Sequence, residues 1–355
     1  MDKKALEFFK KLTAIPTPTG YELEGQRLVA EHVKPYVDKI VLDKHGNLIM
    51  IKNPEAKFRF VIDAHIDEVG FIVQHIDNKG FLRVQPLGGI NIQLLPGERI
   101  ILNGPKGPVN GCFGRKPIHL MDAKERGEGV KDISNLWVDI GANSKEQAME
   151  WAPIGTAGVV NAEWRDMLNN NVSMRGMDDR AGVFIMTEVL RKLAKRKINV
   201  GLYVVSATQE EVGLLGGQAA AYGIDPHGGI AVDVTFASDQ PQGEEAKIGD
   251  IRLGGGPVIG RGPAFDVALN KLVDKAADKA GITTQTQIRN RGNGTDAFAI
   301  RMTRSGVPVN LISIPLRYMH SAVEVVNLDD IDQISTLIAE TIAALPKNPK
   351  LGPEL

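Results

Sequence analysis

Two adjacent glutamates, Glu210 and Glu211, lie in a TQEEVG stretch directly after the mostly apolar run 200–207. The run reads as a buried strand of a mainly parallel sheet, which puts both acids at its carboxyl end, where ligand chemistry gathers in open α/β sheets. Two like charges side by side there are costly unless a cation or a proton holds them. One could ligate a metal while its neighbour acts as a general base. A solvated loop explains a lone Glu-Glu pair better, so the chemistry needs partners elsewhere.

Partners of the right types exist. Of seven histidines, His65 and His320 stand apart, because each follows a predicted buried strand and has acidic or polar neighbours. Asp178 opens a predicted helix and Asp233 lies near the end of a predicted strand. With Glu211 they make two imidazoles and three carboxylates, a nitrogen–oxygen donor set suited to Zn²⁺, Co²⁺ or Mn²⁺. One catalytic zinc usually takes three protein ligands, so five are too many for one ion and suit two if a carboxylate bridges.

The elements that must position these residues follow in chain order. Residues 3–12 and 23–37 read as amphipathic helices separated by the Pro- and Gly-punctuated loop 15–22. Strands are predicted at 40–42, 47–51 and 58–64, and a hairpin at 69–75 and 81–84. Between 88 and 163 helix periodicity nearly vanishes and short β-type runs appear at 99–102, 109–113, 136–140 and 158–160, with one short helix at 145–151. This predicts a small β-barrel or sandwich inserted into the α/β chain. Helices are expected from Asp178 to about 195, at 215–222, 265–280, 296–302 and 330–345, and strands at 229–234, 283–288 and 309–314. The run GGGPVIGRGP at 254–263 reads as irregular, its amides free to line a pocket or a plain flexible loop. The predicted division is a catalytic α/β domain at 1–70 and 164–355 and an inserted β-barrel domain at 71–163.

Composition bounds the rest. The 355 residues carry 42 Lys and Arg against 43 Asp and Glu, a balance that argues against a nucleic-acid or membrane-surface binder. Cys112 is the only cysteine, so no intrachain disulfide is possible. The opening MDKKALEFFKKL has no apolar signal core, and a cytoplasmic location is expected.

The stretches VIDAHIDEVGF, SMRGMDDRAG, ATQEEVGLLGG, AVDVT and SIPLRYMHSAVE, in this order, resemble the tetrahedral (TET-type) aminopeptidases. IPTPTGYE, DIGA and NGTDA also look like that family's, and the likeness runs nearly end to end. The resemblance implies a zinc-exopeptidase-like fold and a homododecamer, built from dimers through the inserted domain, that acts on peptides with a free N-terminus. It implies one metal on His65, Asp178 and Asp233 and another on Asp178, Glu211 and His320, with Glu210 as general base. Zn or Co would be the metals, or Mn. Asp67 would orient His65. The resemblance also implies a cis peptide bond between Asp178 and Asp179, with Arg180 anchoring the turn, although a plain helix cap fits those two acids locally. The substrate pocket would involve Gly255, Gly256, Arg261 and Asp296, within 254–263 and 293–296. Arg261 could pair an acidic side chain or simply face solvent. His119 and Cys112 receive no role.

Three rival readings remain. A metal-dependent deacylase or carboxypeptidase of the same fold would need a carboxylate-binding arginine. A glycan hydrolase needs only two carboxylates and no histidine ligands. A metal-stabilised scaffold has no use for Glu210 beside Glu211.

Overall fold

A computed structural model describes residues 1–290 and 294–353. Helices α1 (Lys3–Ala14) and α2 (Leu23–Val33) lead into strands β1 (Lys39–Leu42), β2 (Leu48–Lys52) and β3 (Arg59–His65). Next come β4 (Gly70–Ile76), β5 (Leu82–Leu87), β6 (Arg99–Gly104) and β7 (Gly107–Gly114), then α3 (Ala123–Gly127), β8 (Trp137–Asp139), α4 (Lys145–Trp151) and β9 (Ala157–Val160). Two short strands, β10 (Arg165–Asp166) and β11 (Asn171–Ser173), precede α5 (Met177–Leu193), β12 (Gly201–Ala207), α6 (Leu215–Ile224), β13 (Gly228–Phe236) and α7 (Glu245–Ile248). The chain closes with β14 (Val258–Arg261), α8 (Val267–Ala280), β15 (Gln285–Ile288), α9 (Asp296–Arg301), β16 (Val309–Leu316), β17 (Val325–Asn327) and α10 (Leu328–Ala344).

The main sheet has the order β1-β2-β12-β3-β13-β16-β14-β15, and its central four strands are mutually parallel. Alternation along β3 explains its two-sided burial. Phe60, Ile62 and Ala64 join the core under α5, whereas Val61 joins the cluster under α6. Helix α5 lies between the sheet and the outer helices α1, α2 and α10, which is why almost every residue from Met177 to Leu190 is buried and no amphipathic stripe marks it.

Strands β4 to β9 close into a six-stranded barrel, β4-β5-β8-β7-β6-β9, with its own core, in which Phe71 and Phe113 meet edge-on at 4.9 Å. The expected α/β sheet with a small barrel is therefore what the chain forms.

Three local expectations are corrected. Helix α2 stops at Val33 rather than 37, because the chain tightens into a 3₁₀ turn, Lys34–Tyr36, that contains Pro35. Residues 254–263 are not wholly irregular. Val258 and Ile259 are fully buried between β16 and β15 and form β14, so ladder pairing and burial override glycine's low strand preference. The β10-β11-β17 sheet was not foreseen, since strands of two or three residues carry no periodic signal.

Candidate metal centre

The parallel strands β12, β3, β13 and β16 direct their carboxyl ends to one edge, and each delivers a chemical group there. His65 is the last residue of β3, Glu210 and Glu211 follow β12, Asp233 lies near the end of β13, and His320 follows β16. Asp178 arrives from the start of α5. The ligand atoms of His65, Asp178 and Asp233 lie within 4.8 Å of one another, and so do those of Asp178, Glu211 and His320. The two groups share Asp178. Its Oδ1 stands 3.2 Å from His65 Nε2 and its Oδ2 3.2 Å from His320 Nε2. Glu211 Oε2 is 3.4 Å from His320 Nε2, and Glu210 Oε2 is 3.9 Å from His65 Nε2.

Each imidazole is turned by its other nitrogen. His65 Nδ1 donates to the Asp67 carbonyl oxygen at 3.1 Å, and the Asp67 carboxylate stands at 3.5 Å. His320 Nδ1 donates to the carbonyl of Gly89, in the loop after β5. Both Nε2 atoms are thereby left facing the cluster. The Asp67 carboxylate, expected to serve His65, mainly accepts from Thr19 Oγ1 at 2.8 Å and from the backbone N–H groups of Glu210 and Glu211 at 3.1 and 3.3 Å.

The turn before α5 is held by buried charge. Glu68 accepts from Arg175 and Arg180, at 2.5 and 2.9 Å. The fully buried Arg180 also donates to the carbonyls of Gly176, Arg175 and Ile15. Gly176 has φ +57°, and a Cβ there would meet Arg180 Nη2 at 2.1 Å, so glycine is required. The Asp178–Asp179 peptide bond is cis. Glu324, buried, accepts the backbone N–H of His320 at 2.7 Å and of Asp178 at 3.2 Å, so one carboxylate ties together the backbones of both Nε2-facing partners. Arg180 was expected at this turn, but its partners Glu68 and Arg175, together with Glu324, Gly89 and Thr19, escaped sequence reasoning. The available signal was position inside the quoted stretches, which hold Glu68, Arg175, Thr19 and Glu324 but not Gly89.

Electrostatics show a site short of positive charge. Burial, aided by Asp178, pushes Glu211 up to about 9, and burial with the charges of Asp233, Asp296 and Asp178 pushes Glu210 up to about 9 against the pull of His65. Burial and Asp178 raise Asp233 to about 7. Burial works against a charged His320, but hydrogen bonding to Asp178 and the charges around it raise it to about 9. Burial alone would raise Asp178, yet hydrogen bonds from His320 and His65 hold it well below the usual range. The buried Glu211 Oε1 has no hydrogen-bond partner among the described residues. Carboxylates that stay protonated near neutrality, an orphaned buried oxygen and a mixed imidazole–carboxylate set all fit divalent cations.

The pocket residues fare differently. Gly256 N–H donates to Asp330 Oδ1 at 2.7 Å, Gly254 N–H to Asp330 Oδ2 at 2.7 Å, and Gly255 N–H to the Arg252 carbonyl at 3.2 Å. These amides are committed to the fold rather than offered to a ligand. Arg261 pairs with Asp274 at 2.5 Å. Asp296 is buried at the start of α9, where burial and the charge of Asp63 raise it well above the usual range. Asn293, part of the expected pocket, lies outside the described residues. Cys112 is exposed on β7, and His119 is exposed in a short turn.

Acid–histidine groups of this kind at the carboxyl edge of an α/β sheet can hold divalent cations. Residues 46–337 match the M42 glutamyl aminopeptidase family. A lysyl aminopeptidase of Pyrococcus furiosus is 38% identical over 329 residues, 92% of this chain and 93% of its own. A TET aminopeptidase from a marine-sediment Thaumarchaeota archaeon superposes with a TM-score of 0.91 at 31% identity, over 97% of this chain and 98% of its own. The TET1 peptidase of Pyrococcus horikoshii, which can assemble into a tetrahedron or a large octahedral shell, gives 0.85 at 31% identity, over 96% and 100%. The chain belongs to the M42 glutamyl aminopeptidase family and is a peptide-bond hydrolase. No described helix is long and apolar enough to cross a membrane.

Proposed function

We propose that the chain is a dinuclear metallo-aminopeptidase in which Asp178 would serve both cation sites and Glu210 is the general base. The observation that carries this reading is the two-sided Asp178 carboxylate, one oxygen facing His65 and the other His320, each at 3.2 Å. His65 and Asp233 would complete one site, Glu211 and His320 the other. When bound, the cations would polarise the scissile carbonyl and acidify a shared water.

The remaining work falls to side chains. Glu210 takes a proton from the attacking water and delivers it to the departing amine nitrogen as the C–N bond breaks. It can do so only when ionised, and balancing the cluster's charge is what ionises it. Asp67 fixes the backbone that aims Glu210, through the bond to its N–H. Asp233 and Glu210 supply negative charge for the substrate's α-ammonium group.

The proposed division is a catalytic domain at 1–70 and 164–355 and an inserted domain at 71–163 through which copies self-associate, toward a dodecamer. A cytoplasmic location belongs to the same reading. Its support is likeness to relatives that assemble, together with a barrel that packs a core of its own.

The test is turnover of aminoacyl-anilides by protein stripped of metal and titrated with Zn²⁺, Co²⁺ or Mn²⁺. Activity should return near two equivalents per chain. A plateau at one equivalent would contradict the shared centre, and cleavage of N-acyl amino acids alone would favour the deacylase reading.

A further inference from the structure

Four successive main-chain N–H groups, from Thr208 to Glu211, are held by side-chain oxygens from distant segments. Asn47 Oδ1 accepts from Thr208 at 2.9 Å, Glu22 Oε1 from Gln209 at 3.2 Å, and the Asp67 carboxylate from Glu210 and Glu211 at 3.1 and 3.3 Å. Asn47 also donates, through Nδ2, to the Gly216 carbonyl at 3.0 Å, while Gly216 N–H donates to the Thr208 carbonyl at 3.0 Å. One buried amide thus clasps both ends of the loop 208–216, where it leaves β12 and where it enters α6. The fit is close, since a Cβ on Gly216 would come within 2.5 Å of Asn47 Oδ1 and 2.1 Å of the Thr208 carbonyl oxygen. Asn47 is fully buried and is itself held by Asp43, whose carboxylate accepts Asn47 Nδ2 at 2.8 Å and Asn47 N–H at 3.0 Å. Glu22, buried ahead of α2, also accepts the N–H of Gly20 at 2.6 Å.

The loop does not take this shape unaided. Gln209 has φ +56° and Leu214 φ +61°, left-handed conformations that a side chain disfavours and that surrounding contacts must enforce. Asn47 and Glu22 stand outside both candidate ligand groups, so their bonds act on the loop's backbone rather than on a cation. A general base must come within hydrogen-bond reach of its proton, and a shift of about 1 Å in such a group is enough to cost most of its effect. We propose that Asn47, seconded by Glu22, is a positioning residue for Glu210. Asn47 fixes the point at which the loop leaves the sheet, and Glu22 fixes the left-handed turn at Gln209 that sets the direction in which the Glu210 carboxylate is presented. The inference rests on the reading of Glu210 as general base and deepens it.

The test measures kcat and KM on the aminoacyl-p-nitroanilide that the metal-loaded wild type cleaves fastest. Asn47→Ala should lower kcat about 10- to 100-fold, the scale for a misplaced reacting group, with KM within about threefold of wild type and the full metal content retained by elemental analysis. Glu22→Ala should lower kcat in the same way, and Glu22→Gln, which keeps the acceptor, should restore most of it. The Glu22 pair decides the matter if Asn47→Ala does not fold. A double-mutant cycle separates positioning from general support of the fold. In the Glu210→Gln background either alanine change should cost less than about threefold in kcat, because the group it aims is gone. Folded, metal-loaded alanine variants with kcat within about threefold of wild type, a loss of activity that tracks lost metal, or an equal loss in both backgrounds would overturn the positioning role while the reading of Glu210 stands. A fully active Glu210→Gln at full metal occupancy would overturn both.

Discussion

The carboxylate of Asp67 accepts the main-chain N–H of Glu210 at 3.1 Å. The loop that carries the proposed base is thereby tied to the segment that carries His65. The same carboxylate accepts Glu211 N–H and Thr19 Oγ1, so one buried group sets the backbone of two acids at once. Asp67→Asn keeps the volume and removes half the acceptors. Its kcat/KM should fall about 10- to 100-fold, the usual scale for an outer partner of a metal site. Metal content by elemental analysis should remain near the wild-type value.

Glu324 is expected to act on the centre without touching a cation. It accepts the N–H groups of Asp178 and His320. In Glu324→Gln one acceptor becomes a donor facing an N–H, and the backbones of Asp178 and His320 lose their common anchor. Metal affinity at the Asp178–Glu211–His320 group should drop about 10- to 100-fold, while the His65 group holds its ion more tightly. Competition with a chelator of known affinity reads both steps. Equal loss at both groups would contradict the assignment.

The buried Glu68–Arg175–Arg180 network should matter for stability more than any surface ion pair. Removing one partner leaves an uncompensated buried charge, so Arg180→Ala should cost about 3–5 kcal/mol. Denaturant unfolding of the metal-free protein measures this directly. A loss below 1 kcal/mol, about the value of an exposed pair, would mean that the network is not closed in solution.

Proton linkage gives a signed prediction. Glu210 and Glu211 at about 9, Asp233 at about 7 and His320 at about 9 all lie above their unfolded values. Groups raised on folding stabilise the protein at low pH and lose that contribution as pH rises through the folded values. The metal-free protein should therefore lose stability between pH 6 and pH 9. Cations compete with the same protons, so metal affinity should rise over that window and binding should release protons. Thermal unfolding and calorimetry at pH 6 and 9, with and without Zn²⁺, test both. A metal-free unfolding temperature that rises with pH would contradict the linkage.

Much of this was legible in sequence because each candidate ligand terminates an element that has its own pattern. His65 ends a strand with a continuous apolar stretch, Glu211 follows another, and Asp178 begins a long helix. Parallel strands then bring residues far apart in sequence to one edge. Gly89 and Glu324 were not legible as parts of the site, since a carbonyl facing His320 across 231 positions, or a carboxylate bonded to Asp178 across 146, leaves no local signature. The glycine-rich run misled for a related reason. Its amides look available in sequence, and only the fold shows that Asp330, at the start of α10, has claimed two of them.

In the proposed centre Glu210 moves the proton while Asp178 and its partners would hold the cations. Glu210→Gln, loaded with Zn²⁺ or Co²⁺, tests it most directly. Two equivalents of metal and an unchanged fold, with kcat lowered by about 10²–10⁴-fold, are expected for loss of a general base. Turnover within a few-fold of wild type at full metal occupancy would show that another group carries the proton.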